Sequence, residues 1–202
     1  KALFTDGATS YTTSIFIDPT DNLQFHVANG ASSSYANTTN LKVRDTTAWY
    51  HLVWCVDTTQ DVTKNRSLAY LNGSLISFST NTYPTQNYTS GFLSTAYPHN
   101  IGRNTTSYDY FMDGYIADVY VVDGQQLDPS YFGERDVVSG EWIPKAYSGA
   151  YGTNGFHIDF SDNTSTTTLG YDISGNAKHF TPGGSVNIYD QVLDSPRNNF
   201  CT

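Results

Sequence analysis

Five tyrosines lie in polar loop segments, where an aromatic side chain has no obvious hydrophobic core to join. An exposed aromatic ring stacks on the apolar face of a sugar, while nearby Asn and Asp side chains bond to the hydroxyl groups. Tyrosines are also common at protein–protein interfaces, so both carbohydrate binding and assembly remain open. The five candidates are Tyr83, Tyr88, Tyr97, Tyr108 and Tyr110.

Four polar residues between positions 159 and 176 form a candidate calcium site. Ca²⁺ takes oxygen ligands from carboxylates, Asn side chains and backbone carbonyls in loops. Asp172 and Asn176 belong to a D-x-S-G-N turn, and Asp159 and Asp162 lie nearby in sequence. Because Asp, Asn and Gly also occur in ordinary turns, a purely structural turn is the alternative.

The histidines and cysteines favour neither a transition-metal site nor a catalytic triad. No two histidines have the i, i+2 or i, i+4 spacing of metal ligands, and no Gly-x-Ser-x-Gly elbow exists. We expect His51 to be a hydrogen-bonded core residue and Cys55, in an apolar run, to be a buried free thiol. Cys201 is the other cysteine, and the absence of a Cys-x-x-Cys pair excludes a structural zinc site.

Composition predicts an all-β protein with no affinity for nucleic acid or membranes. Aromatic residues make up 15% of the 202 residues and charged residues 14%, and the abundant Tyr, Phe and Thr favour strands over helices. Ten basic and 19 acidic residues give a net charge of −9, which disfavours binding to phosphates. No apolar run approaches the roughly 18 residues of a membrane helix, so we expect no membrane insertion.

The spacing of apolar residues predicts short strands joined by tight turns. The segment 50–56 is expected to be a central strand covered on both faces, and Asn72-Gly73 to form a type I′ hairpin, in which both residues have positive φ. The single helical candidate is residues 128–134, with Asp as N-cap and Pro at the first helical position. The predicted strands are 14–18, 23–27, 50–56, 114–122 and 156–160.

Two domains are expected, a β-sandwich or jelly roll over residues 1–140 and an appended β segment over residues 141–202. The stretch from 139 to 155 is rich in Gly, Tyr and Ser and marks the boundary. The appended segment resembles the beginning of another sandwich repeat.

Three short patterns resemble laminin-G-like or pentraxin-like domains of the concanavalin A-like lectin/glucanase superfamily. They are W-x-H-[LV] at residues 49–52, Y-[LV]-[ND]-G at residues 70–73 and [FM]-x-G-x-[IL]-[AD] at residues 112–117. The resemblance implies an antiparallel β-sandwich (jelly roll) of the concanavalin A-like type. The usual first strand is missing before residue 1, so we expect a piece of a longer protein.

The segment after residue 139 is similar to structural or fibre proteins of tailed bacteriophages. The similarity lies in residues 140–147 (GEWIPKAY) and 194–200 (DSPRNNF). It implies a location on the virion surface or otherwise outside the cell, within a homo-oligomer. The implied partners are host-surface polysaccharide or neighbouring virion proteins.

The same superfamily includes β-glucanases, which carry their catalytic carboxylates on an E-x-D-x-x-E strand. In retaining enzymes the two carboxylates lie about 5–5.5 Å apart. Here Glu134 and Asp136 are followed by Ser139 in place of the second Glu, and Glu141 does not restore the spacing. We therefore expect no enzymatic activity, and a divergent polysaccharide hydrolase is the last alternative.

These observations predict a non-catalytic module of a virion surface or fibre that binds host carbohydrate through the loop tyrosines, with Ca²⁺ as a candidate cofactor. The alternative is a purely architectural virion decoration or assembly domain, since the same tyrosines would then pack against neighbouring subunits.

Overall fold

The computed structural model describes residues 1–7, 12–29, 35–94, 96–104, 110–192 and 194–197. The chain forms two compact units, in which unit 1 comprises Lys1–Gly114 and Gln126–Ser130, and unit 2 comprises Tyr115–Gln125 and Tyr131–Thr202. The sequence prediction drew the domain boundary after residue 140, whereas residues 115–125 and 131–140 pack within unit 2.

Unit 1 contains two antiparallel sheets. One sheet has six strands in the order β8-β4-β3-β2-β1-β9, and the other has three in the order β5-β6-β7. The strands are β1 (Ala2–Gly7), β2 (Thr12–Ile17), β3 (Asn22–Val27), β4 (Tyr35–Lys42), β5 (Leu52–Val56), β6 (Ser67–Leu71), β7 (Ser74–Leu75), β8 (Phe78–Asn81) and β9 (His99–Ile101). The predicted strands 14–18 and 23–27 are confirmed as β2 and β3.

The hydrophobic core of unit 1 lies between these two sheets. Alternate residues of β3 are buried, and Leu23 and Phe25 pack with Ala69 of β6 and with Ile76. The ring of Phe25 lies 5.6 Å from that of Trp54 on β5. Apolar side chains that meet between two antiparallel sheets define a β-sandwich, so the predicted fold class is confirmed.

The Asn72-Gly73 hairpin forms as predicted. Its φ angles are 47° and 76°, the left-handed values of a type I′ turn. The turn pairs Leu71 with Ser74, and the side chain of Asn72 accepts a hydrogen bond from the backbone N–H of His51 at 2.8 Å. His51 itself is half-buried, and burial lowers its pKa.

Strand β5 lies at the end of its sheet, so the prediction of a central strand is wrong. Both faces of β5 are nevertheless covered, because Trp54 faces the core and Cys55 lies beneath the segment that contains Leu127. Cys55 is the expected buried free thiol. Its Sγ donates to the Leu127 carbonyl, and burial raises the pKa of the thiol to about 12.

Unit 2 is built from short strands and turns. The strands are β10 (Val119–Val121), β11 (Gly133–Arg135), β12 (Trp142–Pro144) and β13 (Phe156–Ile158), and they pair as β10-β13 and β11-β12. The predicted strand 114–122 is shorter than expected because Asp118 adopts a positive φ of 50°. The predicted strand 156–160 likewise ends at Ile158, before Phe160 with φ 56°.

Among the described residues, the helical elements are short 3₁₀ turns: Thr63–Arg66, Pro129–Tyr131, Thr168–Gly170 and Ile188–Asp190. The second confirms the predicted start at Asp128-Pro129, since the N–H of Ser130 donates to the side chain of Asp128 at 2.8 Å. The rest of the predicted helix 128–134 is wrong, because Gly133 and Glu134 belong to β11. Within the described ranges, no helix combines the length and apolar character needed to cross a membrane.

Candidate functional site

Three of the candidate tyrosines pack against the body of unit 1. Tyr83 is half-buried with its ring edge-on to Phe78, and Tyr88 is half-buried with its ring edge-on to Tyr35 at 4.9 Å. Tyr97 is also half-buried. The expectation that these rings have no core to join is therefore wrong for Tyr83 and Tyr88, because both loops fold back over the sheet.

Tyr110 is different, because it projects into solvent beside a second exposed aromatic residue. Tyr110 and Phe111 expose 60% and 59% of their surface, and we call this pair the aromatic platform. The sequence prediction named Tyr110 but not Phe111. Tyr108 lies outside the described residues.

Backbone hydrogen bonds hold the aromatic platform against the sheet of unit 1. The carbonyl of Tyr110 accepts from the N–H of Ala2 at 2.7 Å, and the N–H of Met112 donates to the carbonyl of Gly102 at 2.7 Å. Tyr110 has a positive φ of 62°, an unusual conformation for a side chain of this size. Fixed backbone on both sides limits the entropy that the two rings lose when they bind a ligand.

Charged and polar groups lie next to the platform. Lys1 Nζ is 3.4 Å from the backbone oxygen of Asp113 and 4.0 Å from its carboxylate. The side chain of Lys1 is 48% exposed and that of Asp113 is 95% exposed, so the ammonium group can donate to a ligand hydroxyl and the carboxylate can accept from one. Two aromatic faces beside one donor and one acceptor are the elements of a sugar-binding surface.

Asp172 and Asn176 share one turn, as the sequence indicates, but the carboxylate of Asp172 is engaged by the protein itself. Oδ1 accepts from the N–H groups of His157 and Ser174, and Oδ2 accepts from the hydroxyl of Ser174 and the N–H of Lys178. Burial alone would raise the pKa of Asp172, but these hydrogen bonds outweigh it and lower the pKa. The side-chain amide of Asn176 donates to the carbonyls of Gly152 and Gly155.

The other two calcium candidates close turns of their own. Asp159 accepts from the N–H and hydroxyl of Ser161, and Asp162 accepts from the N–H and hydroxyl of Thr164. In the part of the chain that the structure describes, no group of three or more His, Cys, Asp or Glu side chains is placed to hold a metal ion. The carboxylate of Asp172 already accepts from four protein donors. Calcium binding stays a prediction.

The carboxylates of the glucanase-like segment lie on and around the β11-β12 hairpin. Glu134 is exposed on β11 opposite Ile143 of β12. Asp136 accepts from the N–H of Ser139, the N–H of Val138 and the hydroxyl of Ser139, and these hydrogen bonds lower its pKa. Asp136 is therefore a turn-capping residue.

Two polar clusters were missed by the sequence analysis, and the first is a buried pair in unit 1. Asp6 on β1 is 1% exposed, and its Oδ2 lies 4.0 Å from Nε2 of His99 on β9. Neither of these two atoms has a hydrogen-bond partner among the described residues. Burial raises the pKa of Asp6 to about 6 and lowers the pKa of His99.

The second cluster surrounds His157 in unit 2. Its Nε2 lies 3.1 Å from the carboxylate of Asp118, and its Nδ1 lies 3.4 Å from the hydroxyl of Tyr151. The ring of Tyr120 stacks on the imidazole at 3.9 Å, and burial raises the pKa of Tyr120 to about 12. Neutral His157 satisfies both partners when Nε2 carries the proton, because a carboxylate only accepts.

The fold and the platform together define a β-sandwich with an exposed aromatic surface beside one end of its larger sheet. Residues 1–129 match the laminin G family profile described as the concanavalin A-like lectin/glucanases superfamily. The chain therefore belongs to this superfamily, which includes both carbohydrate-binding proteins and glucanases. Comparisons with curated proteins and with solved structures found no match.

Proposed function

We propose that the chain is a non-catalytic carbohydrate-binding module whose contact surface is the aromatic platform. The main support for this proposal is that Tyr110 and Phe111 are about equally exposed. Backbone hydrogen bonds to β1 and to Gly102 hold the segment that contains them. A superfamily that includes lectins supports the same class of ligand. Tyr83 and Tyr88 are half-buried against Phe78 and Tyr35, so we expect them to contribute less.

The ligand class follows from the charge of the chain. A net charge of −9 disfavours approach to an anionic polymer. The exposed Lys1 and Asp113 beside the platform suit neutral hydroxyl groups, which both donate and accept hydrogen bonds. We therefore propose a neutral polysaccharide.

A virion surface or fibre is the proposed setting, with host-surface polysaccharide as the ligand. This part of the proposal is supported by the resemblance of residues 140–147 and 194–200 to structural proteins of tailed phages.

A glycan array probed with and without calcium tests the proposal. We expect binding to neutral glycans that persists in EDTA, because the platform contains no metal ligands. Binding abolished by EDTA would support a calcium-dependent lectin and would direct mutagenesis to Asp172. Failure to bind any glycan in a panel of bacterial and algal polysaccharides would contradict the proposal.

A sugar-release assay on the bound glycan separates a binding module from a hydrolase. We expect no release from the wild-type chain. Release that disappears in Glu134→Gln would show a divergent glucanase and would overturn the non-catalytic part of the proposal.

A further inference from the structure

Asp6 and His99 face each other as a cross-strand pair in unit 1. Asp6 is aligned with His99 in the β1-β9 register. Asp6 Oδ2 and His99 Nε2 are both buried without a hydrogen-bond partner among the described residues. The other polar atom of each side chain is engaged, since Asp6 Oδ1 accepts from the N–H of Thr13 at 3.1 Å and the imidazole donates to the backbone carbonyl of Tyr97.

These contacts determine which atoms of the pair carry protons. Because Nε2 of His99 has no partner, the donor to Tyr97 is Nδ1, and neutral His99 presents the lone pair of Nε2 to Asp6. A carboxylate only accepts, so two acceptors face each other at 4.0 Å. One added proton turns either atom into a donor and permits a direct hydrogen bond after a shift of roughly 1 Å.

The surroundings of the pair leave its proton to the two side chains themselves. Asp6 and His99 are the only ionisable side chains of β1, β2 and β9, all of whose residues the structure describes. Tyr97 is the one ionisable residue of the segment 91–98 that leads into β9. Burial raises the pKa of Asp6 to about 6 and lowers the pKa of His99. The pair therefore takes up one proton as the pH falls to about 6.

Two ionisable side chains on neighbouring parts of the chain lie on the opposite face of the sheet. Arg103, which follows β9, donates to Asn100. His26 on β3 is aligned with Ser14 on β2. Asn100 and Ser14 each stand one position from a residue on the face of the pair, and successive residues of a strand point to opposite faces. Neither Arg103 nor His26 therefore faces the Asp6 carboxylate.

The strands that carry the pair also hold the aromatic platform. The N–H of Ala2 on β1 donates to the carbonyl of Tyr110, and the carbonyl of Gly102, directly after β9, accepts from the N–H of Met112. We call these two hydrogen bonds the tethers, and Phe111 lies between them. Strand β9 has three residues and pairs in its sheet with β1. The position of β9 against β1 therefore sets the conformation of the backbone that carries both rings.

We propose that Asp6 and His99 share one proton, and that this proton regulates carbohydrate binding at the platform by holding β9 against β1. With the proton bound, the pair attracts, both tethers are kept and the rings stay preorganised. Without it, the two acceptors repel, β9 moves away from β1, and the rings lose the order that favours binding. The inference rests on the proposed function of the platform and predicts tighter binding at acidic pH.

Amide hydrogen exchange of the whole chain tests the hold on β9 without a ligand. After correction for the intrinsic pH dependence of exchange, protection of the Met112 amide should fall about tenfold between about pH 5 and about pH 8. Asp6→Asn supplies an amide that donates to His99 Nε2 and leaves Oδ1 for Thr13, so its protection should stay at the acidic value throughout. His26→Gln, which removes a half-buried histidine on the other face, is the control and should behave like wild type.

Nuclear magnetic resonance of the wild-type chain tests the shared proton directly and needs no variant. The nitrogen resonance of His99 Nε2 and the carboxyl carbon resonance of Asp6 should change with one common midpoint at about pH 6. Separate midpoints for the two resonances would overturn the proposal. Protection of the wild-type Met112 amide that does not change with pH would overturn it as well.

Titration of the best array glycan at the same two pH values tests the regulation. We expect wild type to bind about fivefold more weakly at the higher pH, and Asp6→Asn to keep the acidic affinity at both. Equal wild-type affinities would overturn the regulation and leave the proposed function intact. If no glycan binds at either pH, the proposed function fails, whereas exchange of the Met112 amide still decides whether the proton holds β9 against β1.

Discussion

Different interactions stabilise the fold of each unit of this chain. Unit 1 buries Leu23, Phe25 and Ala69 between two sheets. The removal of this apolar surface from water is the largest favourable contribution to the folding free energy of unit 1. Unit 2 pairs strands of three residues each, and its turns depend on carboxylates such as Asp172 that accept several hydrogen bonds from the chain. Long strands with apolar alternation thus give the sandwich, whereas the smaller unit depends on individual polar side chains.

The largest expected effect is in the sandwich core. Phe25→Ala should lower the free energy of unfolding by about 3–5 kcal/mol, because Phe25 is fully buried and packs on Trp54 and Phe78. Chemical denaturation followed by tryptophan fluorescence measures the change. A loss below about 1 kcal/mol would show that the two sheets do not share the core described here.

The next effect comes from Asp6, a buried carboxylic acid in unit 1. Its pKa in the folded state is raised from 3.8 to about 6 by burial, so the folded state binds this proton more tightly than the unfolded state. Stability should therefore fall by about 3 kcal/mol as pH rises from about 3 to about 7, with about 2 kcal/mol of that loss between pH 4 and pH 6, and this part should be absent in Asp6→Asn.

The difference between wild type and Asp6→Asn is the quantity to measure, because burial lowers the pKa values of His26, His51 and His99. Those histidines destabilise the fold as pH falls below about 6.5 and partly mask the Asp6 effect. A stability difference that does not change between pH 4 and pH 7 would contradict the burial of a titrating Asp6.

Asp172 provides the corresponding test of unit 2. Asp172→Asn keeps the shape of the side chain but places an amide donor opposite two donors, whichever oxygen it replaces. We expect a loss of about 1–3 kcal/mol, detected by hydrogen exchange at the amides of residues 156–158 and 172–178. Unchanged protection there would mean that the strands, and not the carboxylate, stabilise unit 2.

The smallest expected effect is at the hairpin of unit 1. Gly73→Ala places a side chain at a φ of 76°, which should cost about 1 kcal/mol. Gly124→Ala, at a φ of 81° in unit 2 with no atom within 4 Å of the added Cβ, is the matched comparison. Equal losses in thermal denaturation would show that backbone strain alone sets the cost at both positions.

Local patterns in the sequence predicted much of the sandwich. The Asn72-Gly73 turn, the alternation in β3 and the Asp128-Pro129 start of a 3₁₀ turn each depend on a few neighbouring residues. Physical rules for turns and strands act over that distance. These elements could therefore be predicted from the sequence alone.

Contacts between residues that are far apart in the sequence could not be predicted in this way. His157 meets Asp118 from 39 positions away, and Asp6 meets His99 only because β1 pairs with β9. Tyr83 and Tyr88 lie in polar segments, yet their loops bring them against Phe78 and Tyr35. Of the two platform residues, the sequence prediction named Tyr110 and not Phe111. Nothing in the sequence near Phe111 indicates that its side chain is exposed.

A binding titration of the best array glycan tests the central claim most directly. The account predicts that Tyr110→Ala and Phe111→Ala each weaken binding by about tenfold, equivalent to about 1.4 kcal/mol. Tyr189→Ala, which removes an 87% exposed ring in unit 2, should bind like wild type. Unchanged affinity in the Tyr110→Ala/Phe111→Ala double variant would contradict the account, because the glycan would then bind elsewhere on the molecule.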